Sequence, residues 1–352
     1  MYLELLQSLI ATPSLSRQEE GTADLIEAFL KEQGLRPNRH LNNVWLRSRN
    51  WQEGRPVILL NSHHDTVKAA AGYTRDPHRP DIEDGKLFGL GSNDAGGALV
   101  SLISTFVELE NEDNLNCNLL LAATAEEEIS GPNGIAALLP LLGAIDAGIV
   151  GEPTLLDLAI AERGLVVIDG EAKGVSGHAA RKEGVNALYL ALDDIAAIRR
   201  HSFSRPSDLL GPTSANVTVL NSGTQHNVVP DRATFLIDLR VNEAYRNEEA
   251  VAELQAACQH SELKPRSLRL QSSGIEKTHP LVKAGLKVRP GASAYGSPTL
   301  SDQALMPFPT LKLGPGDSAR SHTADEFIFV EEIEAARKMY VALLREAYGV
   351  VL

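Results

Sequence analysis

The sequence predicts an α/β protein: a mainly parallel sheet covered by helices, interrupted by a ferredoxin-like α+β insertion. Three observations carry that expectation. Apolar runs of strand length, Val57 to Leu60, Leu119 to Ala123 and Ala147 to Val150, alternate with helix-length segments. Runs that are apolar on both faces fit buried parallel strands. After about residue 163 the order becomes strand, helix, strand, strand, helix, strand, the split unit of the ferredoxin-like fold. Finally, 352 residues is long for one core and suits two domains.

Residues 1–35 read as helix, broken at Thr12-Pro-Ser14. Ser16 is placed to cap a second helix starting near Arg17, with Glu19 and Glu20 in its first turn. The first ten residues lack a basic start and a small-residue cleavage site, so they read as amphipathic helix and not as a signal peptide. Asp94 to Glu110 reads as a helix entered through the glycine-rich Gly89-Leu-Gly-Ser-Asn93. In the second pattern the strands are Val166 to Ala172, Ser214 to Leu220, Ala233 to Arg240 and Ser267 to Gln271. The helices are Asn186 to Arg199 and Asn247 to Gln259. From Thr278 the chain returns to the first domain and ends in a helix, Val330 to Tyr348. The expected domains are therefore residues 1–163 with 276–352, and an insertion of residues 164–275.

Composition narrows the function. Hydrophobic residues make up 43% and charged residues 22%, an ordinary soluble balance, and no apolar run reaches a membrane span. A net charge of −13 without a basic stripe argues against nucleic-acid binding. Cys117 and Cys258 read as buried free thiols, which fits a reducing cytoplasm. Two cysteines cannot build a cysteine zinc site, so a metal would have to use histidine and carboxylate.

Those residue types gather where strands end, the place where open α/β sheets bind ligands. Asn61-Ser-His63-His64-Asp65 follows the first run. In an extended segment His63 and Asp65 share a side and His64 points away, so Asp65 could orient a ligating His63. Asp94 precedes Ala95-Gly96-Gly97 at a helix start, where an N-cap is the plainer reading. Glu126-Glu127-Glu128 follows the second run; three adjacent carboxylates repel unless cations or protons relieve them. Glu152, between Gly151 and Pro153, follows the third run. His322 stands in Arg320-Ser-His322-Thr-Ala-Asp-Glu326, before the last helix. Each alone could be a turn, cap or loop residue. Jointly they suit Zn²⁺, Co²⁺ or Mn²⁺.

The order of these motifs resembles the co-catalytic zinc deacylases and exopeptidases, a family that includes acetylornithine deacetylase, succinyl-diaminopimelate desuccinylase, aminoacylase and glutamate carboxypeptidase. The resemblance runs from residue 63 to 322. It implies two divalent metal ions, with His63 and Glu152 on one, Glu128 and His322 on the other, and Asp94 bridging. Glu127 would be general base and acid, and Asp65 would orient His63. The family often has Asp where this chain has Glu126.

The insertion also looks familiar. It resembles the family's dimerisation or lid domain, which implies a homodimer. Ser176-Gly-His178 is similar to a segment whose histidine reaches a neighbouring subunit's site and polarises the scissile carbonyl. Asn227-Val-Val-Pro230 and Asp238-Leu-Arg240 match substrate-contacting segments, with Arg240 as a carboxylate clamp. The segment containing Ser297, with Gly314 to His322, resembles the acetylornithine deacetylase branch most closely. Ser297 would line the substrate pocket, and Arg320 could read a second anionic group or form a structural ion pair.

The implied activity is hydrolysis of a small N-acyl amino acid, with N-acetyl-ornithine of arginine biosynthesis as the leading substrate and acetylcitrulline or succinylornithine as variants. A desuccinylase or a metallo-dipeptidase of the same family is the alternative. A catalytically silent scaffold on this fold is the reading from another class.

Overall fold

The computed structural model describes residues 1–181 and 183–349; Lys182 and residues 350–352, at the end of the second expected segment of the first domain, lie outside them. The chain divides into two compact units. One comprises Met1–Ile160, Gly274–Tyr295 and Ser301–Leu352; the other comprises Ala161–Ser273 and Gly296–Leu300.

The first unit is built on the sheet that the apolar runs predict. Val57–His63 lies at its centre, parallel to Asn118–Thr124 on one side and to Ala147–Val150 on the other. Thr310–Lys312 continues the parallel set beside Ala147–Val150, although it comes from the far end of the sequence. The short strands Asn43–Arg47 and Asn38–His40 extend the sheet antiparallel at one edge. Every residue of the three central strands is buried, which is why they read as continuous apolar runs rather than alternating ones. The helix Gly97–Leu109 is buried along nearly its whole length, and the closing helix Val330–Tyr348 packs beside it. The shared direction of the central strands brings their carboxyl ends to one edge of the sheet.

Three local expectations are corrected. Ser16 caps nothing: the second helix is Glu20–Glu32, and the Ser16 hydroxyl donates to Asp65 at 2.7 Å. The helix expected from Asp94 starts at Gly97, because Ser92–Gly96 forms an irregular turn in which Asp94 has φ −121° and ψ 96°. Asp94 is therefore no helix cap. Cys117 is buried, but Cys258 is only half-buried, with its thiol directed at the Leu254 carbonyl.

The second unit has four antiparallel strands in the order Ser214–Ser222, Arg232–Val241, Gly164–Lys173, Ser261–Pro265, with helices Ala187–Arg200 and Asn247–Ala257. That is the ferredoxin-like order. Its last strand departs from the expectation of Ser267 to Gln271. Ser261 and Leu263 alternate inward against Gly164–Lys173, and Pro265 ends an edge strand, where proline is tolerated. The segment after it stays irregular and supplies the Leu268 and Leu270 carbonyls that accept from the Asn247 side chain. Among the described residues no helix is long and apolar enough to cross a membrane.

Candidate active site

The five candidate ligands converge in the first unit. His63 ends the central strand and is 1% exposed. Its Nδ1 faces the Asp65 carbonyl at 3.0 Å and the Asp65 carboxylate at 3.4 Å, which turns Nε2 towards the other acids. Nε2 lies 3.2 Å from Asp94 Oδ1, 3.8 Å from Glu152 Oε1 and 4.0 Å from Glu127 Oε2. On the other side of Asp94, Oδ2 is 3.6 Å from His322 Nε2, which in turn lies 3.0 Å from Glu128 Oε2. The donor atoms form two groups, His63 with Asp94 and Glu152, and Asp94 with Glu128 and His322; within each, all atoms lie within 4.8 Å of one another. Asp94 belongs to both.

These donors fit a pair of divalent cations. Bonds of about 2.0–2.1 Å in a tetrahedral site put neighbouring donor atoms roughly 3.3–3.4 Å apart, and the observed 3.0–3.8 Å separations bracket that value. The crowding of acids points the same way. Burial first, then the charges of Asp94 and Glu128, pushes Glu152 up to about 8 against the pull of His63. Glu127 is driven well above the carboxylate range by burial and by Glu152, Asp302 and Glu128, with His63 opposing. Positive charge placed among these acids would relieve both.

The histidines respond in opposite ways. Burial would lower His63, but the carboxylates of Glu127, Asp65, Asp94 and Glu152 outweigh it and hold the ring well above its usual value. The bond to Glu128 lifts His322 to about 9. His64 points away from the site, as the strand alternation predicts. Its ring lies between the Thr22 hydroxyl and the Asn42 carbonyl, each at 2.9 Å, and burial lowers it to about 4.

Asp65 does more than face His63. Its two oxygens accept the backbone N–H groups of Glu127 (3.0 Å) and Glu128 (3.2 Å) as well as the Ser16 hydroxyl. Against burial, the His63 ring, then the Ser16 hydroxyl and His64, keep Asp65 below its ordinary range. Glu126 sits at the start of this loop with φ +54°, a left-handed conformation that few glutamates adopt.

Three buried acids around the site carried no role in the sequence reading. Glu19 is 0% exposed and accepts the amides of Arg17 and Glu126 and the Asn42 side chain. Asp302 accepts from Asn61 at 3.1 Å and Thr124 at 2.8 Å, and burial raises it to about 6 despite both bonds. Glu326 accepts three amides of the turn that carries Asp94, and burial raises it to about 8.

The remaining candidates divide. His178, Asn227, Arg240 and Ser297 all belong to the second unit. His178 is exposed on a two-residue strand paired antiparallel with Val228–Val229, and the Asn227 carbonyl accepts from Ala179 beside it. Arg240 is paired with Asp238 of its own strand at 2.7 and 3.1 Å. Ser297 is buried, with its hydroxyl 3.0 Å from that of Thr299.

Arg320 takes the structural ion pair, one of the two readings its position offered. Its guanidinium makes two bonds to Glu332, at 2.8 and 3.1 Å, and stacks on Phe327 and Phe329 at 4.8 and 5.1 Å. Arg320→Ala is expected to lower stability by about 1–2 kcal/mol, the sum of a half-buried ion pair and cation–π stacking, with kcat/KM unchanged. Lost turnover at an unchanged unfolding midpoint would return Arg320 to the substrate pocket.

Comparison with known proteins agrees with this geometry. Succinyl-diaminopimelate desuccinylase of Stenotrophomonas maltophilia is 27% identical, over 97% of this chain and 98% of that one. Acetylornithine deacetylase of Edwardsiella ictaluri is 28% identical over 97% of each. Among solved structures, aminopeptidase PepT of Bacillus cereus shares the fold with a TM-score of 0.78 at 20% identity, covering 98% of this chain and 96% of that one. The YXEP protein of Bacillus subtilis, described as a dinuclear metal-binding peptidase, has a TM-score of 0.76 at 17% identity, covering 97% and 96%. The family model for peptidase family M20/M25/M40 matches residues 59–346. Since that match spans most of the chain and contains all five candidate ligands, the protein belongs to peptidase family M20/M25/M40 and is a hydrolase of amide bonds.

Proposed function

We propose that the protein is a two-metal deacylase of N-acyl amino acids, with N-acetyl-ornithine as its leading substrate. The observation that carries the mechanism is the position of Asp94, whose two oxygens face His63 and His322 separately. In this reading His63 and Glu152 hold one cation, Glu128 and His322 the other, and Asp94 serves both; Zn²⁺ is the leading candidate, with Co²⁺ or Mn²⁺ as alternatives. When bound, the pair would polarise the scissile carbonyl and make a water molecule acidic enough to attack at neutral pH.

The chain's own residues do the rest. Glu127 stands beside His63 without belonging to either ligand group. Its carboxylate takes a proton from the attacking water as the carbon–oxygen bond forms. The carbon–nitrogen bond then breaks, and Glu127 returns the proton to the leaving amine. Asp65 orients His63 and holds the Glu127 amide. From the second unit, His178 would polarise the carbonyl in a partner subunit's site, Arg240 would clamp the α-carboxylate, and Asn227 and Ser297 would line the substrate.

The acyl group separates two readings. The engagement of Arg320 by Glu332 removes the cation that the sequence offered for a second carboxylate, and this favours acetyl. Likeness to desuccinylases favours succinyl. Assays of N-acetyl-ornithine, N-succinyl-ornithine and N-succinyl-diaminopimelate with Zn²⁺ or Co²⁺ decide between them: acetate release is expected to be fastest. Faster succinate release would reassign the substrate, and cleavage of a dipeptide alone would sink the deacylase reading.

Homodimerisation through the second unit is supported by Tyr189 and Leu192 on one helix and Val219 and Leu220 on the edge strand, all exposed apolar side chains. Sedimentation should give a dimer mass at assay concentration. Full activity from a monomer would remove both the dimer and the action of His178 across it. Free thiols support a reducing, cytoplasmic setting.

A further inference from the structure

Asp94 lies in a turn that is not helical, so no regular hydrogen-bond ladder sets the direction of its side chain. The turn is held by Glu326. This carboxylate is 2% exposed. One of its oxygens accepts the amides of Asn93 at 2.8 Å and Asp94 at 3.0 Å, and the other accepts Gly91 at 3.2 Å. Its own carbonyl accepts the Gly89 amide at 2.9 Å. Four amides between residues 89 and 94 therefore end on one residue. That residue follows His322 by four positions, so the loop that presents His322 also grips the loop that presents Asp94.

For stability alone a carboxylate is a poor choice here. It sits close enough to Asp94 for the two charges to oppose each other, and a buried charge costs desolvation. What an ionised carboxylate offers, once a cation at Asp94 offsets the opposing charge, is two acceptor atoms with no donor of its own, which suits three converging N–H groups. Asp65 does the same for the amides of Glu127 and Glu128, at 3.0 and 3.2 Å. Each of these ligand-bearing loops hangs on a buried acid that belongs to neither ligand group.

We infer that Glu326 is a positioning residue, whose carboxylate fixes the Gly91–Asp94 turn so that the two Asp94 oxygens face His63 and His322 at once. The inference rests on the reading of Asp94 as a shared ligand. Glu326→Gln keeps the shape but turns an amide donor against backbone donors, and Glu326→Asp is one methylene too short to reach all three.

The test is a titration of metal-free protein with Co²⁺, which reports affinity and, through its visible d–d absorption, the geometry around the ion. Wild type, Glu326→Gln, Glu326→Asp, Asp94→Asn and Glu332→Gln are compared. Glu326→Gln is expected to bind Co²⁺ about 10–100-fold more weakly with an altered spectrum, and Glu326→Asp to fall between it and wild type. Glu332→Gln, which breaks the neighbouring Arg320 pair, should lose stability yet bind as wild type does. Wild-type affinity and spectrum in Glu326→Gln would overturn the inference. Should that variant not fold, the same result in Glu326→Asp would do so. If Asp94→Asn itself binds as wild type, the shared-ligand reading fails first, an outcome distinct from a failure at Glu326 alone.

Discussion

Glu127→Ala is expected to lower turnover by about 10²–10⁴-fold, the range that a positioned proton carrier contributes, while the protein keeps its full metal complement. The separation follows from geometry. Glu127 Oε2 stands 4.0 Å from His63 Nε2, at the margin of one ligand group and a member of neither. Its backbone is fixed independently, through its N–H to Asp65, so truncating the side chain leaves the loop and its neighbour Glu128 in place. The loss should appear in kcat rather than KM, because proton transfer is needed only as bonds change. Glu127→Gln, which preserves size and removes basicity, should lose as much. Metal analysis alongside steady-state kinetics checks this. Unchanged turnover would remove Glu127 from the proton path, and parallel loss of metal would make it a ligand instead.

Asp94→Ala is expected to abolish activity by a different route. It takes one donor from each ligand group, where loss of His63, Glu152, Glu128 or His322 takes a donor from one. Disturbing residues behind a ligand already weakens metal binding by about 10–100-fold, so loss of a shared ligand should exceed about 100-fold. The fold should survive, since the turn stays held through its amides by Glu326. Metal content after gel filtration, measured with the unfolding midpoint, distinguishes the cases. Retention of both ions would show that Asp94 does not bridge, and activity with one ion retained would show that a single cation suffices.

The sequence marked the acids and histidines that converge and missed their supports, for a physical reason. A buried parallel strand is apolar on both faces, so His63, Glu126 to Glu128 and Glu152 stand out as the first titratable residues after an apolar run. Asp94 and His322 have no such contrast; only their place in an ordered set of motifs marked them. Glu19, Asp302 and Glu326 were legible as acids but not as supports. Each acts on groups distant in sequence: Glu326 and Glu19 on the backbone N–H groups of Asp94 and Glu126, which have no signature in a sequence, and Asp302 on the Thr124 hydroxyl. Arg320 was ambiguous for a related reason. Two residues from a candidate ligand, it suggested either a substrate anion or an ion pair, and its partner Glu332, in the first turn of the last helix, is twelve positions away. The final strand of the second unit was misplaced because Ser261–Pro265 carries two charges and a proline, a poor strand by composition that pairing at a sheet edge makes regular.

The position of the insertion has a consequence for how the chain holds together. Residues 161–273 fall between Glu152 and His322, so the two ligand groups close loops of very different size. One group ends at Glu152, before the insertion begins. The other joins Glu128 to His322 across 194 residues. A cation there would act as a reversible cross-link around the whole inserted unit, removing freedom from the unfolded chain as a long-range disulfide does. The same ion would thus restrain the ends of a domain that supplies none of its five candidate ligands, and a chelator would release that restraint.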